Sequence, residues 1–349
     1  VSPARKSADI EEPDRVEGQP HPREVYELIG QDDALARASR IIRSGRPPHG
    51  LMLAGPAGIG KATLAYRIAR YVLRYGASGE GPVDLSVPKN DIVSRQIEAQ
   101  AHPGLLVLKR PVDEKTGRLK TVVSVSEIRR LGGFFGLTSA GGGWRVAIID
   151  AADDMNDNAA NALLKVLEEP PARSLLILIS HAPGRQLPTI RSRTQRLDLK
   201  PLGDDVLTAA LAQRLPDAST EDRAALVRLA EGSLGLALQL AEEEGVDFAH
   251  RAEALIGARA PDVKALLALA ERVGRARDGV RHFGDLLLRA LSRRIRARAA
   301  AGQGDERSAQ LWEHIAQLFE RALEVHMEPR QTVISSGLAV AAARRTGTL

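Results

Sequence analysis

WRVAIIDAADDMNDNAANALLKVLEEPPARSLLILISHAPGRQLPTIRSR, residues 144–193, is the stretch that decides the fold. Its first apolar run, Val146 to Ile149, ends in an acid, Asp150. A helical pattern follows, with Ala160, Leu163, Leu164 and Leu167 on one stripe, and Pro170-Pro171 stops it. A second apolar run, Leu175 to Ile179, leads through a short helix at Pro188–Arg191 to Ser192-Arg193 and a last strand, Thr194 to Leu199. Short, fully apolar runs bounded by breakers are the pattern of strands buried on both faces. Strand, acid, helix, strand, arginine is the layout of the middle of a nucleotide-binding α/β domain. Asp153, Asp154 and Asn156 read as helix initiation. Glu168-Glu169 reads as a solvated helix end, because adjacent helical residues do not face one target.

Upstream, the apolar run Leu51–Ala54 is followed at once by GPAGIGKATL, residues 55–64, and by a helix ending near Tyr75. Gly55, Gly58, Gly60 and Lys61 match G-x-x-x-x-G-K between a strand and a helix. Glycines there let backbone N–H groups curl around a phosphate, the helix N-terminus adds positive potential, and the lysine reaches the terminal phosphates. The full motif places Ser or Thr directly after the lysine, to hold Mg²⁺. Here that position is Ala62. Thr63 carries a hydroxyl one residue late, about 100° further around the helix. Asp150, at the carboxyl end of its strand, sits where open α/β sheets bind ligands and where an acid serves the Mg²⁺ shell.

Further out the reading is coarser. Val25 to Arg43 reads as a helix interrupted at Ile29-Gly30-Gln31, with Asp32 as N-cap of its helical part. Residues 76–102 form an insertion with a helix near Ile92–Ala101. Leu105–Leu108 and Thr121–Val125 read as strand-like runs, and Ser126 as the cap of a helix to Phe135. From Pro201 onward β-branched runs fade. Asp204–Arg214, Thr220–Glu231 and Ser233–Glu244 suggest a three-helix unit. Four longer helices follow at Asp262–Gly274, Asp278–Ala300, Glu306–Glu328 and Pro329–Arg345. The expected organisation is a disordered tail over 1–22, a P-loop α/β domain over 23–200, a helical lid over 201–245 and an all-α bundle over 246–349.

Composition narrows the function classes. The chain of 349 residues has no cysteine, which removes disulfides, thiolate metal sites and thiol catalysis, and fits a cytoplasmic protein. Its first residues lack the apolar core of a signal peptide, and no apolar run is long enough for a membrane span. Aromatic residues are 3% of the chain, too few for base-stacking platforms. The eight histidines form no ligand pair, so no metal site is expected; His49 and His181 read as structural or nucleotide-adjacent. A net charge of +5, with a basic stretch between Arg259 and Arg298, fits an acidic partner, DNA or simply solvated arginines.

The blocks HGLMLAGPAGIGKATLAYRIARYVL, VAIIDAADDMNDNAANALLKVLEEPP and LPTIRSRTQRLDLKPL, in this order over residues 25–202, resemble the clamp-loader branch of AAA+ proteins. More closely, they are similar to its delta-prime subunits in bacterial DNA polymerase III. The resemblance implies a cytoplasmic hetero-pentameric ring with motor subunits and a delta subunit, which opens a sliding clamp and closes it around primed DNA as part of a polymerase holoenzyme. It also implies a subunit that does not hydrolyse ATP itself but lends an arginine finger to a neighbour's ATP site. That arginine is Arg193, within Ser192-Arg193-Thr194, where the family carries Ser-Arg-Cys.

Several departures bear on this. The family's active members carry a glutamate after the strand-end acid, where this chain has Ala151, and an arginine in the lid, where Gly235 falls in this chain. With Ala62, three catalytic contributions are missing together. The four-cysteine zinc module of many relatives has no counterpart in residues 76–102, so no zinc is expected. Lys61 and Asp150 leave an active AAA+ ATPase open, such as a motor subunit or helicase-loader relative, and the basic Arg259–Arg298 region leaves a DNA-binding scaffold open. The degenerate loop is left either empty or holding ATP or ADP as an unhydrolysed ligand, with no cofactor required.

Overall fold

The computed structural model describes residues 18–112, 120, 122–136, 143–242, 245–257, 262–276, 279–325 and 327–349. Its α/β part runs α1 (Asp32–Ile42), β1 (Gly50–Ala54), α2 (Lys61–Tyr75), α3 (Ile92–Glu98), β2 (Leu105–Lys109), α4 (Val125–Gly136), β3 (Arg145–Asp150), α5 (Asp157–Glu168), β4 (Ser174–Ser180), α6 (Pro188–Arg193) and β5 (Gln195–Asp198). The five strands are all parallel, in the order β2-β3-β4-β1-β5.

The strand sequences explain the layering. Side chains alternate faces along a strand, and here both faces are apolar. Leu51, Leu53, Val146, Ile148, Leu175 and Ile177 enter a core with Ala38 and Ile42 of α1 and Leu64, Ile68 and Val72 of α2. Met52, Ala147, Ile149, Leu176 and Leu178 enter the opposite core with Ile128 and Leu131 of α4 and Leu163 and Leu167 of α5. Helices therefore cover both sides of the sheet. The edge strand β5 begins with exposed Gln195 and Arg196, residues that discourage further pairing. The strands end in register at their carboxyl edge, with Ala54 beside Ser180 and Asp150 beside Ile179.

Several local expectations change. Asp32 is the first residue of α1 and Gln31 its N-cap. The Gln31 amide instead donates to the carbonyls of Lys200 (2.7 Å) and Ile59 (3.2 Å), tying the glycine loop to the segment after β5. Thr121–Val125 is not a strand: Thr121 lies outside the described residues, Val123 makes a lone bridge to Met155, and Val125 already opens α4. Of the expected tail, residues 1–17 lie outside the described residues. His21 is fully buried and caps a 3-10 turn at Pro22–Glu24, because its ring packs edge-on against Tyr66. The insertion is part of the core: Leu85, Val87, Val93 and Ile97 are buried against α2, and Arg67–Asp84 and Arg74–Asp91 ion pairs tie its ends down.

The chain divides into two compact units, one ending at Gln239 and one running from Leu240 to Leu349. After β5, α7 (Asp204–Arg214), α8 (Thr220–Ala230) and most of α9 (Leu234–Ala241) belong to the first unit. The second holds α10 (Gly245–Gly257), α11 (Val263–Arg275), α12 (Gly279–Ala300), α13 (Glu306–Glu324) and α14 (Pro329–Arg345) around Phe248, Phe283, Leu287 and Phe319. Of these, α10 was not expected. Its buried positions Phe248, Ala252 and Ile256 repeat at helical spacing, but one of the three is alanine, and the stripe is weak to the eye. No helix is long and apolar enough to cross a membrane among the described residues.

Candidate functional site

The glycine loop forms as its sequence dictates. Gly55, Gly58 and Gly60 have φ of +144°, +75° and +100°, a region that favours glycine. Lys61 opens α2, is only 3% exposed, and donates through Nζ to the carbonyls of Gly55 (2.7 Å) and Pro56. Ala62 is packed against the core on the helix side, and no hydroxyl stands at its position. Thr63 is half-buried one residue further round. Asp150 ends β3, one strand beyond β4 from the loop-bearing β1, and Ala151 after it is buried.

The lid lies directly on this loop. The buried Ser233 hydroxyl donates to the carbonyl of Ala57 at 2.8 Å, and the Gly235 N–H donates to the carbonyl of Gly58 at 2.8 Å. Ser233 Oγ also accepts from the N–H of Leu236 at 3.1 Å, holding the first turn of α9. The backbones touch: a Cβ on Gly235 would lie 2.7 Å from the Gly58 Cα, and one on Gly58 would lie 2.5 Å from Ser233 Oγ. Between these two glycines there is no room for a side chain.

Beyond β3, the acids divide their roles. Asn156 caps α5 by accepting from the N–H of Ala159 at 2.9 Å. Asp153 does not start a helix of that kind. Its carboxylate accepts from Ser180 Oγ (2.9 Å), the Gln186 amide (3.0 Å) and the N–H groups of His181 and Ala182. It thereby fixes the turn that leads from β4 to α6. Asp154 faces Arg110 at 3.2 Å. His49 lies away from the glycine loop; its Nδ1 meets Ser174 Oγ at 2.8 Å, and burial pushes its pKa down, against the smaller upward pull of the Ser174 carbonyl.

Arg193 ends α6. Its Nη2 pairs with Glu168 Oε1 at 2.9 Å, and its Nη1 donates to the Thr189 carbonyl at 3.2 Å. Glu168, expected as a plain solvated helix end, is thus its partner. Thr194 uses its hydroxyl on the Ile190 carbonyl at 2.9 Å. The Arg193 carbonyl lies beside Gly50, where a Cβ would come within 3.2 Å of it. Gly50 begins β1 and the glycine loop follows its end, so the arginine and the loop are separated by the length of the strand, about 16 Å at roughly 3.3 Å per residue. The loop, Lys61 and Asp150 share the carboxyl edge of the sheet; Arg193 is at the other edge.

Among the described residues no group of three or more His, Asp or Glu side chains could hold a metal ion. Sequence reasoning missed Asp153, Glu168 and Ser233 as site residues. Only Ser233 left a signal, standing between two glycines at the head of an apolar helix.

A model of the family described as DNA polymerase III, delta subunit, matches residues 30–203. The delta' subunit of DNA polymerase III from Pseudomonas aeruginosa is 38% identical over 190 residues, 53% of this chain and 53% of that protein. The Escherichia coli delta' subunit is 30% identical over 198 residues, 57% of this chain and 56% of the relative. The gamma/tau subunit from Mycobacterium bovis is 30% identical over 192 residues, 55% of this chain and 31% of its own length. The chain spans about half the length of the two delta' relatives it matches.

Proposed function

The chain belongs, through residues 30–203, to the DNA polymerase III delta subunit family, and we propose that it acts as the non-hydrolysing subunit of a bacterial clamp loader. In this reading Arg193 completes the ATP site of a neighbouring motor subunit, in a five-membered ring with a delta subunit that loads a sliding clamp onto primed DNA. The observation that carries it is the separation of the two charged ends of the sheet. Arg193 stands about a strand's length from its own glycine loop, too far to touch a phosphate held there, so a finger role requires a phosphate from another chain. The carboxyl edge points the same way. Ala62 and Ala151 take the places of the Mg²⁺ ligand and the general base, and the lid backbone lies on the loop with Gly235 against Gly58. No cofactor is required of such a subunit, zinc included.

The test is a reconstituted loader carrying Arg193→Ala. A guanidinium set against a γ-phosphate contributes about 10³–10⁵ in rate. Hydrolysis at the one site this chain completes should therefore become negligible, while the ring still assembles by size-exclusion chromatography. Full DNA-stimulated ATPase in that variant overturns the finger. The purified chain alone should show no Mg²⁺-dependent turnover; turnover abolished by Lys61→Ala would make it a motor instead. The basic helices give a DNA scaffold little support, since several of their arginines are engaged within the unit: Arg272 with Asp247 at 3.2 Å, Arg293 with Glu253 at 2.8 Å.

A further inference from the structure

We propose that Glu168 is a positioning residue for Arg193, holding the guanidinium in the orientation in which it meets a neighbour's phosphate. The inference rests on the finger reading above and adds a residue to it. Three acceptors surround the guanidinium: Glu168 Oε1 at 2.9 Å from Nη2, and the Thr189 carbonyl and Ser192 Oγ at 3.2 Å and 3.5 Å from Nη1. Two of these belong to α6 itself. Glu168 alone comes from another element, and it fixes where the fork points relative to the sheet.

The convergence is built into the fold. Glu168 is the last residue of α5, which Pro170-Pro171 prevents from running on. A carboxylate there faces the negative end of the helix dipole, an unfavourable position unless a cation is supplied. Arg193 supplies it. The end of α5 and the end of α6 approach each other over Gly50, where an added Cβ would lie 2.9 Å from Leu167 Cδ2 and 3.2 Å from the Arg193 carbonyl. The absence of a side chain at Gly50 lets both helix ends settle against β1. An arginine side chain free in water samples many rotamers, and each must be frozen out before it can act. Here the fork is held at both terminal nitrogens while the side chain stays 38% exposed, open to an incoming group. Orientation before the reaction is what such a catalytic group needs.

The experiment is a double-mutant cycle in the assembled loader, reading ATP hydrolysis. Glu168→Ala is expected to lower kcat at the affected site about tenfold, with KM for ATP unchanged, because only transition-state contact is lost. Glu168→Gln, which keeps an acceptor oxygen in place, is expected to recover most of that loss. In an Arg193→Ala loader, Glu168→Ala is expected to change nothing further, since its effect runs through the arginine. A Glu168→Ala loader with wild-type or raised kcat overturns the proposal, and so does a further loss in the Arg193→Ala background, which would make Glu168 a general structural support. Full activity of Arg193→Ala alone is a separate result, striking the finger reading itself. Both partners are surface residues, so the variants are expected to fold, and matching thermal unfolding of the free subunits checks it.

Discussion

His49 links the α/β unit to pH through its half-buried ring. Burial lowers its pKa below 6.5 in the folded chain, and burial lowers that of His102 as well. Above the unfolded value both states are neutral and no difference arises. As pH falls below about 6.5, the unfolded chain takes up protons that the folded chain still refuses, so stability declines from there down to the folded pKa. Thermal unfolding followed from pH 7.5 to 5 should show this fall, and His49→Gln should flatten it. An identical decline in a His49→Gln, His102→Gln double variant would assign the loss to other groups. Asp153 acts at the same scale but through hydrogen bonds. Bonds to a charged acceptor contribute about 1.5–3 kcal/mol each, and Asp153→Ala leaves the N–H groups of His181 and Ala182 without that acceptor. The variant is expected to lose about 2–4 kcal/mol by denaturant titration. A loss under 1 kcal/mol would mean that water replaces the carboxylate freely.

At the scale of elements, the contact between lid and glycine loop is the feature most open to test. Gly235→Ala places a methyl 2.7 Å from the Gly58 Cα and 3.1 Å from its carbonyl oxygen, both backbone atoms. Either α9 or the loop must move, and overpacking of this kind costs about 1–3 kcal/mol. For a unit of this size that lowers Tm by roughly 2–10 °C. An unchanged Tm would show that the two glycines do not bear on each other in solution. The strands that carry this arrangement were readable from sequence because each is an apolar run buried on both faces, as in Leu175–Ile179, bounded by breakers. The glycine loop was readable because only glycine satisfies its backbone angles. What could not be read were partnerships set by sheet register: Asp153 with Ser180, 27 residues on, or Glu168 with Arg193, on different helices. Nothing in the local pattern of either residue distinguishes a ligand from a helix end. Helix starts failed for a related reason. Asp32 has the right chemistry for a cap, but Gln31 occupies the position because its amide is spent on Ile59 and Lys200, both distant in sequence.

Across the whole molecule, two separate cores set the terms. The α/β unit buries both faces of a parallel sheet, and the helical unit from Leu240 closes on its own cluster of Phe248, Phe283, Leu287 and Phe319. Their internal ties are also their own: Asp247 holds both Arg251 and Arg272, and the Arg344 guanidinium reaches the Gly257 carbonyl at 3.0 Å. A unit of this length, with a continuous core of its own, meets the requirements for folding alone. A fragment of residues 240–349 is therefore expected to be helical by circular dichroism and to unfold in one cooperative transition. At about 0.7 kcal/mol per residue near 60 °C its calorimetric enthalpy should be roughly 75 kcal/mol, matched by the van't Hoff value. A broad transition, or an enthalpy well under half that figure, would mean that the helices need the α/β unit to hold their packing. Substitutions in the core of the fragment, such as Phe283→Ala at a fully buried ring, should lower its stability by about 3–5 kcal/mol, read by the same calorimetry.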